Sequence, residues 1–416
     1  MRYLIALVDG LADTPLPALG GKTPLETATA PTLDKLATSG RLGAIRTVPR
    51  DHAPETLAAL FTLLGYPPGP YLTGRGYYEA LAAGLILGEG EWCFRLQFVT
   101  TADGKLADAR AGGLTDAEGA ELLRALEANL RVPGLRLVPG SGHNHLALLE
   151  GTDFRGLSSV NPFNVVDLPF AEHLPEGPGA ELLRKIMTEA GPVLAKHEIN
   201  RVRLDLKQNP ANAVWLWGGG TAVEVPGFMK TFGLDAALVS YSSLVRGVGV
   251  AAGMKVMLPG ESPLVPDPSG RLKRVEGDEQ ARRATETDEI TRALETVRKA
   301  LAAHSMVVVH FSYPDDYSHV GDAQGKVRAI ELLDRHFFKP LQPELEQAGD
   351  VRLVVLSTLM SRVETRRHEE GPVPFLMWGP GVESRWQLTL TESNANETGI
   401  RIEDGTRLVD YIINGL

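Results

Sequence analysis

The sequence predicts an α/β protein built on a doubly wound, mainly parallel sheet, with a smaller α+β domain inserted into it. Three observations carry that prediction. The apolar runs YLIALV, MVVVH, VRLVVL and VPFLMW each finish near a polar residue, as buried parallel strands do when they deliver a side chain to the loop beyond. Helical patterns separate such runs, so strands and helices alternate. Between Glu91 and Gly151 a local α+β pattern replaces that alternation. The expected division is a core domain of residues 1–87 and 176–416 around an inserted domain of residues 88–175.

Residues 3–8 end in Asp9-Gly10, a strand whose carboxyl end presents an acid where ligands of open α/β sheets gather. A helix follows over residues 30–40, with Leu33, Leu36 and Ala37 on one face and Gly40 as its stop, and a second spans about 54–64. In the insert, WCFRLQFVT alternates as a strand. A turn at Ala102-Asp103-Gly104, a helix over 116–129 and strands near Leu135 and over 145–149 come next. The Pro-rich stretch 160–178 reads as the return linker, 181–197 as a long helix, and NAVWLWGGG as another core strand. Beyond Asp235 the α/β alternation resumes with AALVS and KVML. A charged stretch over 270–288 reads as a solvated loop and helix face, leading into a helix to about Ala303. MVVVHFS, a helix over 326–341, VRLVVLS and VPFLMWG complete the domain.

Composition narrows the functional classes. The chain has 416 residues, 43% of them hydrophobic and 23% charged, enough to bury a large core. A formal net charge of −10 without a basic run argues against nucleic acid or an anionic membrane as partner. No run approaches the ~18 apolar residues of a membrane span, and the amino terminus lacks a signal-peptide pattern, so a cytoplasmic protein with a small-molecule ligand is expected. Cys93 is the one cysteine, which leaves carboxylates and imidazoles to hold any metal.

Such residues collect beyond the core strands. Asp315 and His319 stand four apart in FSYPDDYSHVGD, where one helical turn or a tight loop brings carboxylate and imidazole together, and His368 follows the strand VRLVVLS. Asp9 alone reads equally as a loop cap or a metal ligand. His310 reads as a core or strand-end residue without a partner, Trp215 and Trp217 as a strand packing its faces, and Gly218-Gly219-Gly220 as a turn, because no phosphate-loop Lys-Ser/Thr follows.

VDGLAD, LGGKTPLETATAPTLDKLA, LLGYPPGPYLTGRGYYEALAAG, NPANAVWLWGGG, DDYSHVGD and HEEGPVPFLMWGPGV occur in this order. Together they resemble the archaeal-type cofactor-independent phosphoglycerate mutases of the alkaline phosphatase superfamily, over nearly the whole chain. The resemblance implies the alkaline phosphatase type of α/β fold. It also implies two divalent metals, manganese or zinc, flanking a serine that takes the phosphoryl group from one glycerate hydroxyl and returns it to the other. Paired cations lower the pKa of such a nucleophile and neutralise charge on the transferring group. Position by position, Asp315, His319 and His368 match the ligands of one metal and Asp9 a ligand of the other. Arg75 and Arg95 match arginines that grip substrate carboxylate or phosphate, a task suited to the planar guanidinium, and Arg110 and Arg246 carry over less closely.

Departures from the family pattern shape the expectation. Pro54-Glu55-Thr56-Leu57 stands where the family has a Gly-Ser-Asp-Thr-like run, so the hydroxyl there belongs to Thr56, which is equally legible as a helix N-cap. Thr358-Leu359 stands where the family has an Asp-His ligand pair, so one well-formed metal site is expected in place of two, with Glu55, His52 and Asp51 as neighbouring compensators. Asn144 takes an arginine's place, and the family's His-Asp pair is missing near VNPFNVVD. Each lost buried cationic contact to a phosphoglycerate costs on the order of 1 to 3 kcal/mol. The resulting expectation is metal-dependent phosphoryl transfer on a small phosphorylated metabolite through Thr56, interconverting 3- and 2-phosphoglycerate or acting on a related phosphate ester. A non-catalytic relative that binds one metal or a phosphorylated ligand, and a phosphotransferase for another hydroxy compound, stand beside it. A homo-oligomer is left open.

Overall fold

The computed structural model describes residues 1–260 and 279–415. Its larger sheet has eight strands in the spatial order Arg401–Ile402, Arg41–Arg46, Pro372–Trp378, Val351–Leu356, Arg2–Val8, Met306–Phe311, Ala236–Ser240 and Lys255–Met257. Pro372–Trp378 alone runs against the others, so the sheet is mixed but mainly parallel. The central strands are buried on both faces. Leu4, Ala6 and Val8 pack with Leu33 and Leu36 of one helix and Ile290 and Val297 of another, while Ile5 and Leu7, alternating to the opposite face, are equally buried. On Ala236–Ser240 the helix Ser243–Ala251 approaches closely, because a Cβ at Gly249 would lie 3.2 Å from Leu238.

The chain divides into two compact units, the larger from Met1–Leu72 with residues 225–260 and 279–415, the smaller Thr73–Glu224. This corrects the expected boundaries of 88 and 175. The helix Ala180–Ala195 and the strand Ala213–Thr221, assigned from sequence to the core domain, belong to the smaller unit: Leu183, Ile186 and Trp215 join Phe94, Phe98, Leu122 and Leu126 in one core. Hydrophobic periodicity identifies an element but not the layer that will cover it. The smaller unit's sheet is antiparallel, with the 11-residue strand Trp92–Ala102 at its centre, flanked by Ala213–Thr221 on one edge.

Gly218-Gly219-Gly220 continues that edge strand and forms no turn, a second correction. A Cβ at Gly219 would lie 2.2 Å from the Phe94 ring, and one at Gly220 2.6 Å from the Gly74 carbonyl oxygen, so side-chain-free backbone is what lets these segments touch. The helix expected over 326–341 is also interrupted. Ala323–Leu333 opens into a wide turn at Asp334–Phe338 before Lys339–Ala348. The widened turn carries the buried Asp334 carboxylate to the start of Pro31–Ser39, where it accepts from the Leu33 and Thr32 N–H groups at 2.7 and 3.3 Å, in place of the cap that Ala30 cannot supply. Of the charged stretch, residues 270–278 lie outside the described residues, and the remainder enters the helix Glu279–Ala303. No helix of the described residues is long and apolar enough to cross a membrane.

Candidate metal centre

The strand Met306–Phe311 hands directly to the short helix Tyr313–His319, which places Asp315 and His319 one turn apart. Gly10, at φ 74°, turns the chain out of the first strand and against this helix: a Cβ there would lie 2.4 Å from the Asp315 nitrogen, whose N–H donates to the Asp9 carbonyl at 3.1 Å. His368 comes from a hairpin, Met360–Arg362 paired with Arg367–Glu369, not from a strand end. The Arg362 guanidinium clamps that hairpin by donating to both Glu369 oxygens at 3.0 and 3.1 Å.

The three side chains converge. Asp315 Oδ1 lies 3.0 Å from His368 Nε2, and its Oδ2 3.3 Å from His319 Nε2, with the two imidazole centroids 4.9 Å apart. His319 Nδ1 faces the Arg366 carbonyl at 3.0 Å, which fixes the ring with Nε2 toward the carboxylate. Burial by itself would raise the Asp315 pKa, yet His368 and His319 outweigh it and hold the carboxyl well below the usual range. Burial disfavours the His319 cation, and Asp315 overrides it, pushing the imidazole up to about 9. One carboxylate and two imidazoles, all ligand atoms within 4.8 Å, fit a divalent zinc or manganese ion. Among the described residues this is the one group of three such side chains so arranged.

The other half of the expected centre does not fit a metal. The Asp9 Oδ1 accepts from the Thr358 hydroxyl and its Oδ2 faces His310 Nε2 at 2.8 Å. His310 Nδ1 continues to Ser240 Oγ at 3.1 Å, and that oxygen accepts from the Ser242 N–H at 3.0 Å. His310, read from sequence as partnerless, is therefore the partner of Asp9; a polar residue inside the otherwise apolar run MVVVHF was the available signal. Asp9, His310, Ser240 and Thr358 are all buried, and Leu359 is buried with no ligand atom to offer. The neighbouring compensators do not converge on Asp9 either: Glu55 is exposed, and Asp51 is exposed and bonded to His52 at 2.9 Å.

Thr56 is the first residue of the helix Thr56–Leu63; the N-cap is Glu55, without a side-chain bond, so Thr56 is no cap. Its half-buried hydroxyl makes no hydrogen bond among the described residues. Arg246 is buried and donates to the carbonyls of Tyr241 at 2.7 Å and Ser240 at 3.4 Å.

Within the smaller unit, Arg75 and Arg95 meet on Glu79, a fully buried carboxylate that the residue patterns did not single out. Arg75 reaches Glu79 Oε1 with Nε and Nη2, both at 3.0 Å; Arg95 reaches Oε2 with Nε at 2.9 Å and Oε1 with Nη2. Burial would raise the Glu79 pKa, but the two guanidinium charges outweigh it and lower it. Arg95 Nη1 donates to Asn144 Oδ1 at 2.9 Å, and the Arg75 guanidinium stacks over Trp217 at 4.7 Å. Arg110 lies over the Phe163 ring at 5.4 Å.

A doubly wound α/β unit with a carboxylate–imidazole cluster at the carboxyl edge of its parallel strands defines a class of candidate metal-binding α/β protein. A family profile described as 2,3-bisphosphoglycerate-independent phosphoglycerate mutase matches residues 37–200. A 2,3-bisphosphoglycerate-independent phosphoglycerate mutase of Methanothrix thermoacetophila is 36% identical over 416 residues, covering 100% of both chains. The chain belongs to the 2,3-bisphosphoglycerate-independent phosphoglycerate mutase family. Two solved structures share the fold: a protein from Pyrococcus horikoshii with a TM-score of 0.73 at 24% identity, covering 99% of this chain and 96% of that one, and a cofactor-independent phosphoglycerate mutase from Thermoplasma acidophilum with a TM-score of 0.56 at 23% identity, covering 99% and 98%.

Proposed function

We propose that the chain is a phosphoglycerate mutase-like isomerase that moves a phosphoryl group between two hydroxyls of a small phosphorylated hydroxy acid, by way of the Thr56 hydroxyl. The convergence of Asp315, His319 and His368, in a chain of this family, carries the proposal. In the first half-reaction the Thr56 oxygen attacks phosphorus as the bond to one substrate oxygen breaks, and the proton lost by the Thr56 hydroxyl is matched by one gained by that oxygen; in the second, the other substrate hydroxyl oxygen attacks phosphorus and loses its proton as the bond to Thr56 breaks and the Thr56 hydroxyl is restored. Thr56 opens a helix whose first N–H groups lack intrahelical acceptors, a setting that favours a phosphoryl group. One divalent ion held by Asp315, His319 and His368 would supply positive charge against the transferring group. Within the smaller unit, Arg75 and Arg95 carry guanidinium groups of the kind that suit an anion, and in the larger unit the buried Arg246 braces the strand end at Ser240.

A second reading, a relative that binds one metal or a phosphorylated ligand without turnover, is favoured by the engagement of Asp9 with Thr358 and His310. Conversion of 3- to 2-phosphoglycerate, assayed with manganese, cobalt or zinc and beside Thr56→Ala, separates the two. Turnover that the alanine variant loses supports the proposal. Turnover that it retains removes Thr56 from the mechanism, and none with any metal favours the binding protein. Plasma mass spectrometry should count one tightly held ion per chain, and a count of two would overturn the single-site assignment.

A further inference from the structure

Arg46 closes the strand Arg41–Arg46 with a guanidinium whose hydrogen-bonding capacity is unused. Its side chain is 16% exposed and its Nε is enclosed, yet it makes no hydrogen bond among the described residues. Glu403 Oε2 stands 3.6 Å from that Nε, beyond hydrogen-bond reach, and the same oxygen already accepts from Arg50 Nη2 at 3.3 Å. Cations this far from solvent are ordinarily paired and hydrogen-bonded, so unmet donors here call for an acceptor from outside the chain. Arg46 lines a cleft of about 250 Å³ wholly within the larger unit, together with Arg50, His52, Pro54 and Leu359. Two of these residues tie the cleft to the candidate centre. Pro54 precedes Thr56 by two positions, and Leu359 follows Thr358, whose hydroxyl donates to Asp9. Glu369 and Glu370, next to His368 in the chain, also line it. Glu369 is neutralised by Arg362, which donates to both of its oxygens, Glu370 is exposed, and His52 is bonded to Asp51 at 2.9 Å. The cleft therefore sets a guanidinium with unmet donors beside the apolar side chain that stands where a metal ligand is missing.

The geometry points to this cleft as a phosphate subsite of the larger unit, with the Arg46 guanidinium as its receiving group, supplying from a fixed side chain the positive charge that a second ion beside Asp9 would have supplied. The inference rests on the phosphoryl-transfer reading for the identity of the anion, and adds where the phosphate is held and by what. Phosphate oxygens match the donor fork of an arginine, and the permanent charge of that side chain needs no ligand set to hold it in place. The apolar Leu359 wall strengthens the attraction by lowering the local dielectric, while Glu370, exposed at the rim and without such a clamp as Arg362 gives Glu369, opposes it.

Titration calorimetry on the full chain tests this at low ionic strength, about pH 8, where phosphate is largely dianionic, with a chelator present so that no ion contributes. The probes are inorganic phosphate and 3-phosphoglycerate, each on a Thr56→Ala background that excludes phosphoryl transfer to that residue, with D-glycerate as the anion lacking phosphate. Both phosphate probes should bind, and adding Arg46→Ala should weaken each roughly tenfold or more while leaving glycerate within about twofold. Arg46→Lys, which keeps the charge and loses the fork, should fall between the two. Should Arg46→Ala fail to fold, the exposed Glu370 gives an independent reading: Glu370→Gln should tighten phosphate about twofold and Glu370→Lys more, an electrostatic response that a merely structural Arg46 would not produce. No phosphate binding under these conditions, affinity indifferent to Arg46, or affinity unmoved by both Glu370 variants overturns the inference. Failure of the mutase proposal is separable. Phosphate binding that depends on Arg46 in a chain without phosphoglycerate turnover keeps the subsite and loses the reaction, whereas turnover that Arg46→Ala leaves intact keeps the reaction and removes the subsite.

Discussion

His145 shows how fully one side chain can be specified by its surroundings. Its Nδ1 accepts from the Gly140 N–H at 2.9 Å and its Nε2–H donates to the Gly142 carbonyl at 3.1 Å, so the ring is neutral with the proton on Nε2. Burial pushes its pKa down to about 4, against the Gly142 carbonyl and with the help of the Arg95 charge. An imidazole depressed from 6.5 in the unfolded chain to about 4 in the fold stabilises the protein fully above pH ~6.5. As pH falls from ~6.5 to ~4 the unfolded chain gains a proton that the fold refuses, and about 3 kcal/mol should be lost. Urea unfolding from pH 7 to 4 should show this loss, and His145→Gln should flatten it; an equal slope in both would contradict the neutral assignment. At Gly10 the constraint is steric. Gly10→Ala would place a methyl group 2.4 Å from the Asp315 nitrogen at a positive φ, so a cost of roughly 2 kcal/mol or more and at least tenfold weaker metal binding are expected in thermal melts with and without manganese.

At the scale of elements, the buried Lys326 ties three segments together. From the helix Ala323–Leu333, its ammonium donates to Asp13 Oδ2 at 2.7 Å, to the Ser361 carbonyl at 2.6 Å and to the Ala12 carbonyl at 3.3 Å, which uses all three of its hydrogens. Asp13 in turn accepts from the Val363 N–H at 3.2 Å, joining the loop after the first strand to the hairpin that carries His368. Removing one partner leaves the other charged and buried. Lys326→Met should therefore cost about 3 to 5 kcal/mol, and adding Asp13→Asn should recover part of it; guanidinium unfolding of the single and double variants provides the check, and additive losses would rule out the coupling.

For the whole molecule, an ion held by Asp315, His319 and His368 would make stability depend on ligand. An ion that binds the fold and not the unfolded chain adds about 2.7 kcal/mol at a concentration of 100 times its dissociation constant. Manganese or zinc should raise the unfolding midpoint, a chelator should reverse the shift, and His368→Ala should abolish it, since the hairpin supplies one of the three ligands. A shift that persists in His368→Ala would place the responsible ion elsewhere.

Much of this was legible in the chain. Short apolar runs announced the central strands, because a strand buried on both faces must be apolar along its length, and the spacing of Asp315 and His319 announced a shared helical face, because i and i+4 neighbours meet wherever a helix forms. His368 was legible as a candidate ligand beyond a core strand, and the resemblance to the family added Arg75 and Arg95. Other features depended on pairings between distant parts of the chain. Asp9 meets His310 across 301 positions and Thr358 across 349, and no local pattern encodes such neighbours. Glu79 looked like one more helical glutamate until two guanidinium groups closed on it. The strand Ala213–Thr221 was recognisable as a strand but not as part of the smaller unit's sheet. Local periodicity and side-chain chemistry thus determined which elements form and which groups could hold a metal. Only the tertiary structure decided that Asp9 is bonded to other side chains and that Arg75 is held by a buried carboxylate, because burial and charge pairing arise when remote segments exclude water together.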